Sequence, residues 1–459
     1  MSCRALFCLL LGAVSLPAEW MAGAAKVSIT PREPVWLAGY ANRDRPHEKV
    51  IQEIWVKALA LRDGSGATSV IVTSDLVGLS VSMVEEIRRR ALRASGVAAE
   101  RLILNYSHNH SAPVTGDVLH LYYDLDARQK AAVERYTRAL LERCQRAIAE
   151  AVRNLAPATL AFEQGLAGFA VNRRRSRPGG RALDGPVDHD VPVLAVRAPD
   201  GRLRAALFGY ACHNTALGRY EVSGDYAGYA QQELETKWPG AVALFLMGAG
   251  GDANPLPRYQ GADPAMGSLA TELASMYGRI LAAAVDLVLR GKMRPVRGPL
   301  RTGLANATAP FAPAPTAGQL RAQLAEAREP MRRREIRHLL GVLERGGRLP
   351  ESYPYPVQVW QFGGDLKLIA LTGEPVVDYA LRFKKRYGPD STWVAGYTNE
   401  LLAYIPSLRV LREGGYEGAE GMAEYGLAAP FAEGIEEAIA STVEELAAPA
   451  AGAGSPGGG

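Results

Sequence analysis

Residues 101–113 read Arg101-Leu102-Ile103-Leu104-Asn105-Tyr106-Ser107-His108-Asn109-His110-Ser111-Ala112-Pro113. The run Leu102-Ile103-Leu104 is apolar, short and bounded by polar residues, so it reads as a buried strand rather than a helix. The residues after it are polar and close on a proline, the composition of a loop. A buried strand that delivers polar side chains into a loop is the working unit of α/β proteins, whose sites lie at strand ends. The flanks agree: the spacing predicts an amphipathic helix with a charged face over residues 82–94 and a longer one over 127–154.

The same alternation runs outward from that stretch. Strands are expected at 54–61, 69–73, 191–196, 203–211 and 241–247, and helices at 228–238 and 269–289. A charged helix at 320–343 is broken at Pro330, and strands at 357–362 and 366–371 pair around Gly363-Gly364. Helices at 374–387 and 430–446 follow. The chain is therefore α/β, with strand layers covered by helices. No internal repeat or long linker divides it, and the Pro/Ala-rich residues 307–317 are few enough to be a loop.

Of the 459 residues, 48% are hydrophobic and 22% charged, which suits a soluble globular chain. Net charge is +4, from 52 basic and 48 acidic residues interleaved, with no basic stripe carrying aromatics, so nucleic acid is not an expected partner. Arg173, Arg174 and Arg175 adjoin, as do Arg332, Arg333 and Arg334, the second run reading as a solvated face. Arg4, the apolar residues 5–16 and Ala22-Gly23-Ala24 form an export leader over residues 1–24. The expected destination is the periplasm or the extracellular space. The main domain then spans 25–446, and the Ala/Gly/Pro/Ser tail 447–459 is too poor in apolar side chains to fold. Cys3 and Cys8 leave with the leader. Cys144 and Cys212 are too few for a disulfide framework, and whether they pair stays open. No later apolar run reaches transmembrane length, which leaves room for peripheral membrane contact only.

Five stretches can carry chemistry. His108 and His110 share a face of an extended segment and can share a metal, or one can orient what the other binds; two hydrogen-bonded surface histidines are the alternative. Gly209-Tyr210-Ala211-Cys212-His213-Asn214-Thr215 again runs from a strand into a histidine. Asp225, in Ser223-Gly224-Asp225, is placed to cap the next helix or to support the site. Gly248-Ala249-Gly250-Gly251-Asp252-Ala253-Asn254-Pro255 is a glycine-rich turn that lacks the Gly-Lys-Ser/Thr ending of a phosphate loop. In Leu371-Thr372-Gly373-Glu374-Pro375, Thr372 and Glu374 read as caps of the following helix. Tyr404, by itself, reads as a core or rim tyrosine.

Taken in order, these stretches resemble the catalytic domain of the neutral ceramidase family. The likeness begins at Ala25-Lys26-Val27-Ser28-Ile29-Thr30-Pro31 and Leu37-Ala38-Gly39-Tyr40. It continues through Ser107-His108-Asn109-His110-Ser111, Val171-Asn172-Arg173, Cys212-His213-Asn214-Thr215, Ser223-Gly224-Asp225, Gly373-Glu374-Pro375 and the Tyr404 loop after Asn399. The resemblance implies a large α/β domain with two central mixed sheets between helical layers. It implies one zinc ion held by His108, His213, Glu374 and Tyr404, with Tyr416 as the alternative fourth ligand. Activated water would hydrolyse an amide such as that of N-acylsphingosine, a lipid substrate, or a smaller polar acylated molecule. His110 and Arg173 would hold the oxyanion, and Asp252 would accept or relay a proton. Two departures are visible. Asn254 stands where the family carries a serine, and with the sequence ending soon after Leu446 the family's C-terminal immunoglobulin-like domain is not expected.

Overall fold

Apolar runs rich in leucine and in β-branched valine and isoleucine, the latter two stiff at χ1, are bounded by charged or turn residues and supply the strands. The computed structural model describes residues 20–174, 183–259 and 266–448. The first strand, β1 (Trp20–Ser28), precedes the short β2 (Lys49–Val50) and the pair β3 (Trp55–Arg62) and β4 (Thr68–Ser74). Helix α1 (Val81–Ser95) leads into β5 (Leu102–Tyr106), and α2 (Ala127–Arg153) into β6 (Ala156–Leu166) and β7 (Ala170–Asn172). Next come β8 (Asp190–Arg197), β9 (Leu203–Tyr210), β10 (Glu221–Val222), α3 (Asp225–Lys237), β11 (Val242–Met247), β12 (Ala253–Pro255) and α4 (Gly267–Arg290). The second half holds β13 (Arg294–Val296), β14 (Leu300–Pro310), α5 (Ala317–Glu326), α6 (Pro330–Glu344), β15 (Ser352–Phe362), β16 (Leu366–Thr372) and β17 (Glu374–Pro375). It closes with α7 (Asp378–Tyr387), β18 (Thr392–Thr398), β19 (Tyr404–Ile405), α8 (Leu408–Glu413), α9 (Gly415–Gly418) and α10 (Ile435–Ala447).

The expected central mixed sheets are joined into one continuous sheet of thirteen strands, in the order β11-β9-β8-β6-β1-β3-β4-β5-β18-β16-β15-β14 with β13 beside β6. It is folded back on itself at β1. That strand pairs with β3 along its length but with β6 only over Trp20–Ala22. The two arms therefore face each other, with β11 lying against β5 and β18. Leu59, Leu61, Ile71 and Ile103 of one arm interleave with Leu207, Leu244 and Leu246 of the other, closed by Trp360 and Trp393. Each such side chain, fully buried, contributes on the order of 1.5–3 kcal/mol. Helices α1 and α2 cover the outer face of β1, β3 and β4, α3 and α4 that of β6, β8 and β11, and α7 and α10 the β14–β18 end.

Several expectations change. Trp20–Ala24, assigned to the leader, form the first part of β1, where Trp20 and Ala22 are buried; residues 1–19 lie outside the described residues. The expected tail begins inside α10, which includes Ala447, and residues 449–459 lie outside the described residues, as does Arg175. The helix expected from Glu374 starts at Asp378 and has no side-chain cap. Thr372 Oγ1 instead donates to Pro356 O, and Glu374 sits in β17, paired in parallel with β19. The expected loop at 307–317 is strand as far as Pro310. β14 is the sheet's edge, where a proline's missing N–H costs no ladder bond. Pro330 does separate two helices, standing in the first turn of α6. Cys144 and Cys212 are both buried and unpaired. Among the described residues no helix is long and apolar enough to cross a membrane.

Candidate metal centre

Strand ends from both arms deliver the site. β5 ends at Tyr106, β9 at Tyr210, β11 at Met247, β16 at Thr372 and β18 at Thr398, and the residues just beyond each meet between the arms. His108 takes a left-handed backbone conformation, φ 54°, which a non-glycine residue holds only where its surroundings fix it. Its Nδ1 donates to Val77 O at 2.9 Å. His213 Nδ1 donates toward Gly250 O at 2.9 Å and Ala253 O at 3.2 Å. With Nδ1 carrying the proton, each ring turns a bare Nε2 toward Glu374 Oε2, and both distances are 3.2 Å. Gly373, at φ 67°, makes the turn that brings Glu374 there; a Cβ at that position would sit 2.7 Å from Ala403 O.

The electrostatics of this arrangement suit a cation. Burial lowers the pKa of His108, and burial with Arg173 nearby lowers His213 to about 4, so both rings are neutral near pH 7. Burial pushes Glu374 up, but the two histidines and Tyr425 outweigh it and hold the carboxyl at about 2. Two imidazole lone pairs and a carboxylate oxygen thus converge, all within 4.8 Å of one another, and His213 Nε2 is buried without a hydrogen-bond partner. Facing acceptors with no proton to share repel, and an ion between them removes the repulsion. Two neutral imidazoles and a carboxylate are a donor set that zinc accepts with a coordination position left open.

Tyrosines surround the cluster. The β17–β19 pairing sets Tyr404 opposite Glu374, with its ring 6.3 Å from that of His213 and nearly parallel to it. Burial and Glu374 push the Tyr404 phenol well above its ordinary pKa. Tyr416 is turned elsewhere, donating to Glu424 at 2.6 Å. Two tyrosines that sequence reasoning missed touch the carboxylate directly: Tyr425 Oη donates to Glu374 Oε1, and Tyr397 Oη lies 3.4 Å from Oε2. Tyr397 carried a signal, since it lies near the end of a buried strand just before Asn399, as His108 and His213 follow theirs. Tyr425 carried none.

The other expected residues separate into two groups. His110 joins the cluster: its Nε2 is 3.1 Å from His108 Nε2, its Nδ1 is buried without a partner, and its ring meets Tyr40 edge-on. A Cβ on Gly39 would lie 2.3 Å from that ring, so only glycine fits there. Arg173 spans Tyr404 at 5.3 Å and donates from Nε to Glu417 at 2.6 Å, while its Nη2 is buried and unpartnered. Asn254, on β12 against β7, has a buried Oδ1 without a donor. Asp252 does not join the cluster. It accepts from Val377 N at 2.9 Å and Asn172 Nδ2 at 2.7 Å, and burial pushes it up to about 6. Asp225 does not cap with its side chain in the expected way. It opens α3 and accepts from the Ala216 and Leu217 N–H groups, which fixes the loop after His213.

Fold and site together define a mixed α/β protein with a buried His–His–Glu cluster of metal-binding type. The chain belongs to the neutral/alkaline non-lysosomal ceramidase family: the model of that family's N-terminal region matches residues 20–255. Family and fold make it a ceramidase-like hydrolase. The neutral ceramidase of Pseudomonas aeruginosa superimposes with a TM-score of 0.70 at 18% identity, covering 94% of this chain and 74% of that one. A ceramidase complexed with C2 gives 0.68 at 19%, covering 94% and 76%. At these identities the likeness establishes the fold. None of the curated proteins matches the chain.

Proposed function

We propose that the chain hydrolyses a linear amide in a zinc-dependent, ceramidase-like reaction, converting an N-acylsphingosine to a fatty acid and a sphingoid base. His108, His213, Glu374 and Tyr404 would hold the metal. The observation that carries this reading is the convergence of three acceptor atoms within 4.8 Å in a member of the ceramidase family. Zinc, when bound, supplies a Lewis acid for the carbonyl and brings the pKa of water from about 15.7 toward neutrality.

The chain's own residues do the remainder. Glu374 stays ionised throughout the neutral range, and His108 and His213 stay neutral, which is the protonation state a metal site requires. Asp252 lies off the cluster, so the proton role expected of it passes to His110, in place of the oxyanion role expected there: buried and neutral beside His108, His110 would take the proton from the attacking water and return it to the leaving nitrogen as the C–N bond breaks. Arg173 Nη2, without a protein partner, is the donor for the developing oxyanion. Asp252, with both oxygens engaged, holds the Asn254 turn against Val377.

One observation favours a second substrate. The buried, unpartnered Oδ1 of Asn254 asks for a donor, which a polar acylated molecule such as an acyl sugar would bring in its hydroxyl groups. Export to the periplasm or beyond the cell belongs to the same reading and is supported by Arg4 and the apolar residues 5–16. The test is metal analysis joined to a substrate comparison. One zinc per chain, loss of activity on chelation, and a loss of at least about a hundredfold in metal affinity or rate for His213→Ala are expected. Full activity in excess chelator would overturn the mechanism. Release of fatty acid from ceramide against acetate from acetylated sugars decides between the substrates. A protein that binds zinc and turns over neither is a binding protein on this scaffold.

A further inference from the structure

Beside the metal cluster lies a cavity of about 1320 Å³ that none of the four proposed ligands lines. One wall is apolar: Pro313 and Pro315 before α5, Leu320 on α5, Met331 and Leu339 on α6, and Leu427 beyond. The aromatic rings of Trp36, Tyr122 and Tyr123 line it as well. The charge is one-sided. Asp44, Asp124, Glu329, Glu335, Glu420 and Glu424 line the cavity against only Arg43, Arg332 and Arg334.

The arginines are already engaged. Arg43 donates to Ala38 O and Arg219 O, Arg334 to Leu121 O and Tyr122 O, and Arg332 to Glu335 and Gln323. The decisive group is Glu424. It accepts from the phenols of Tyr122 and Tyr416, and no lysine or arginine pairs with it among the described residues. Burial, with the Glu335 and Glu374 carboxylates nearby, raises its pKa. A partly buried carboxylate that has phenols and other carboxylates for neighbours lacks a cation.

We propose that this cavity binds an amphiphilic organic cation, an alkylammonium whose nitrogen sits against Glu424 and the aromatic rings and whose chain follows the α5–α6 wall. Carboxylates and ring faces both attract ammonium, and the proline, leucine and methionine side chains take the hydrocarbon. The binding does not depend on the metal. It does bear on the proposed reaction, since cleaving an amide of a long-chain amine releases such an ammonium, and Tyr425, next in sequence to Glu424, touches Glu374.

The experiment is calorimetric titration of the whole chain, with and without zinc, using three ten-carbon probes below their micelle concentrations: decyltrimethylammonium, a neutral decyl glucoside and decyl sulfate. The cation is expected to saturate at one per chain and to bind at least about tenfold more tightly than the neutral probe, with decyl sulfate weakest. Glu424→Gln, which keeps the shape, should weaken the cation about tenfold and leave the neutral probe unchanged. Met331→Lys, which places an ammonium on the wall that takes the chain, should weaken the cation more than the neutral probe without touching the tyrosine network. Equal affinity for the three probes, or a cation affinity unmoved in both variants, overturns the proposal. Because binding is read directly, a hydrolase that fails every amide substrate leaves this result standing.

Discussion

At the scale of single residues, the cluster depends on which atom of each side chain is already used. His108 and His213 spend Nδ1 on backbone carbonyls, so the tautomer, and with it the free Nε2, is set before any ion arrives. Glu374 is treated alike: Tyr425 occupies Oε1, which leaves Oε2 for the shared point. Tyr425→Phe should therefore lower zinc affinity by about 10–100-fold, the usual effect of removing a group that orients a ligand. Competition against a chromogenic chelator measures this, and an affinity within twofold of the parent would mean that Tyr425 does not orient Glu374. The histidines of this arrangement were legible in the sequence because each follows an apolar strand. The carboxylate was legible only through resemblance, since Gly373-Glu374-Pro375 has the local form of a helix cap. Tyr425 was not legible at all, because it ends a short 3-10 helix, Glu420–Tyr425, that no periodicity marks and reaches Glu374 only through tertiary packing.

Among the elements, those read well from sequence are those with strong periodicity or abrupt punctuation. β5, β9 and β11 are apolar runs with polar ends, α1 and α2 have clear faces, and Pro330 marks a helix start. The misreadings share a cause, which is that composition does not say what an element packs against. Ala- and Gly-rich β1 resembles the end of a leader, yet its small residues let α2 approach closely: a Cβ on Gly23 would lie 2.2 Å from Ala151 O. β1 is also the hinge of the sheet. Trp20 is buried in the shared core and donates from Nε1 to Val296 O at 2.9 Å. A chain starting at Ala25 should consequently be less stable than one starting at Trp20 by at least about 3 kcal/mol, the cost of removing a buried tryptophan. Denaturant midpoints of the two forms check this. Equal midpoints would mean that the Trp20–Ala22 pairing does not hold the arms together.

For the molecule as a whole, the folded-over sheet buries charge as well as hydrocarbon, and this gives stability a pH dependence that can be assigned. Asp252 links the turn after β11 to the start of α7 and is wholly buried. Burial raises its pKa to about 6, against about 3.9 for an unfolded aspartate. The folded state therefore binds a proton that the unfolded chain releases between those values. The stabilisation is fully present below about pH 4 and is lost as pH rises through 6. A shift of about two units corresponds to roughly 3 kcal/mol. His213, lowered to about 4, works in the opposite direction, since the unfolded chain takes a proton below about 6.5 that the folded ring refuses. The two effects partly cancel in the parent protein, so only a difference measurement separates them. In chelator-treated protein, the stability of the parent minus that of Asp252→Asn should rise by up to about 3 kcal/mol as pH falls from 7.5 to 4, because the histidines titrate in both and drop out. Thermal or urea unfolding across that range makes the comparison. A difference that is flat with pH would show that Asp252 is ionised in the fold, held by the Val377 N–H and Asn172 more firmly than burial opposes it.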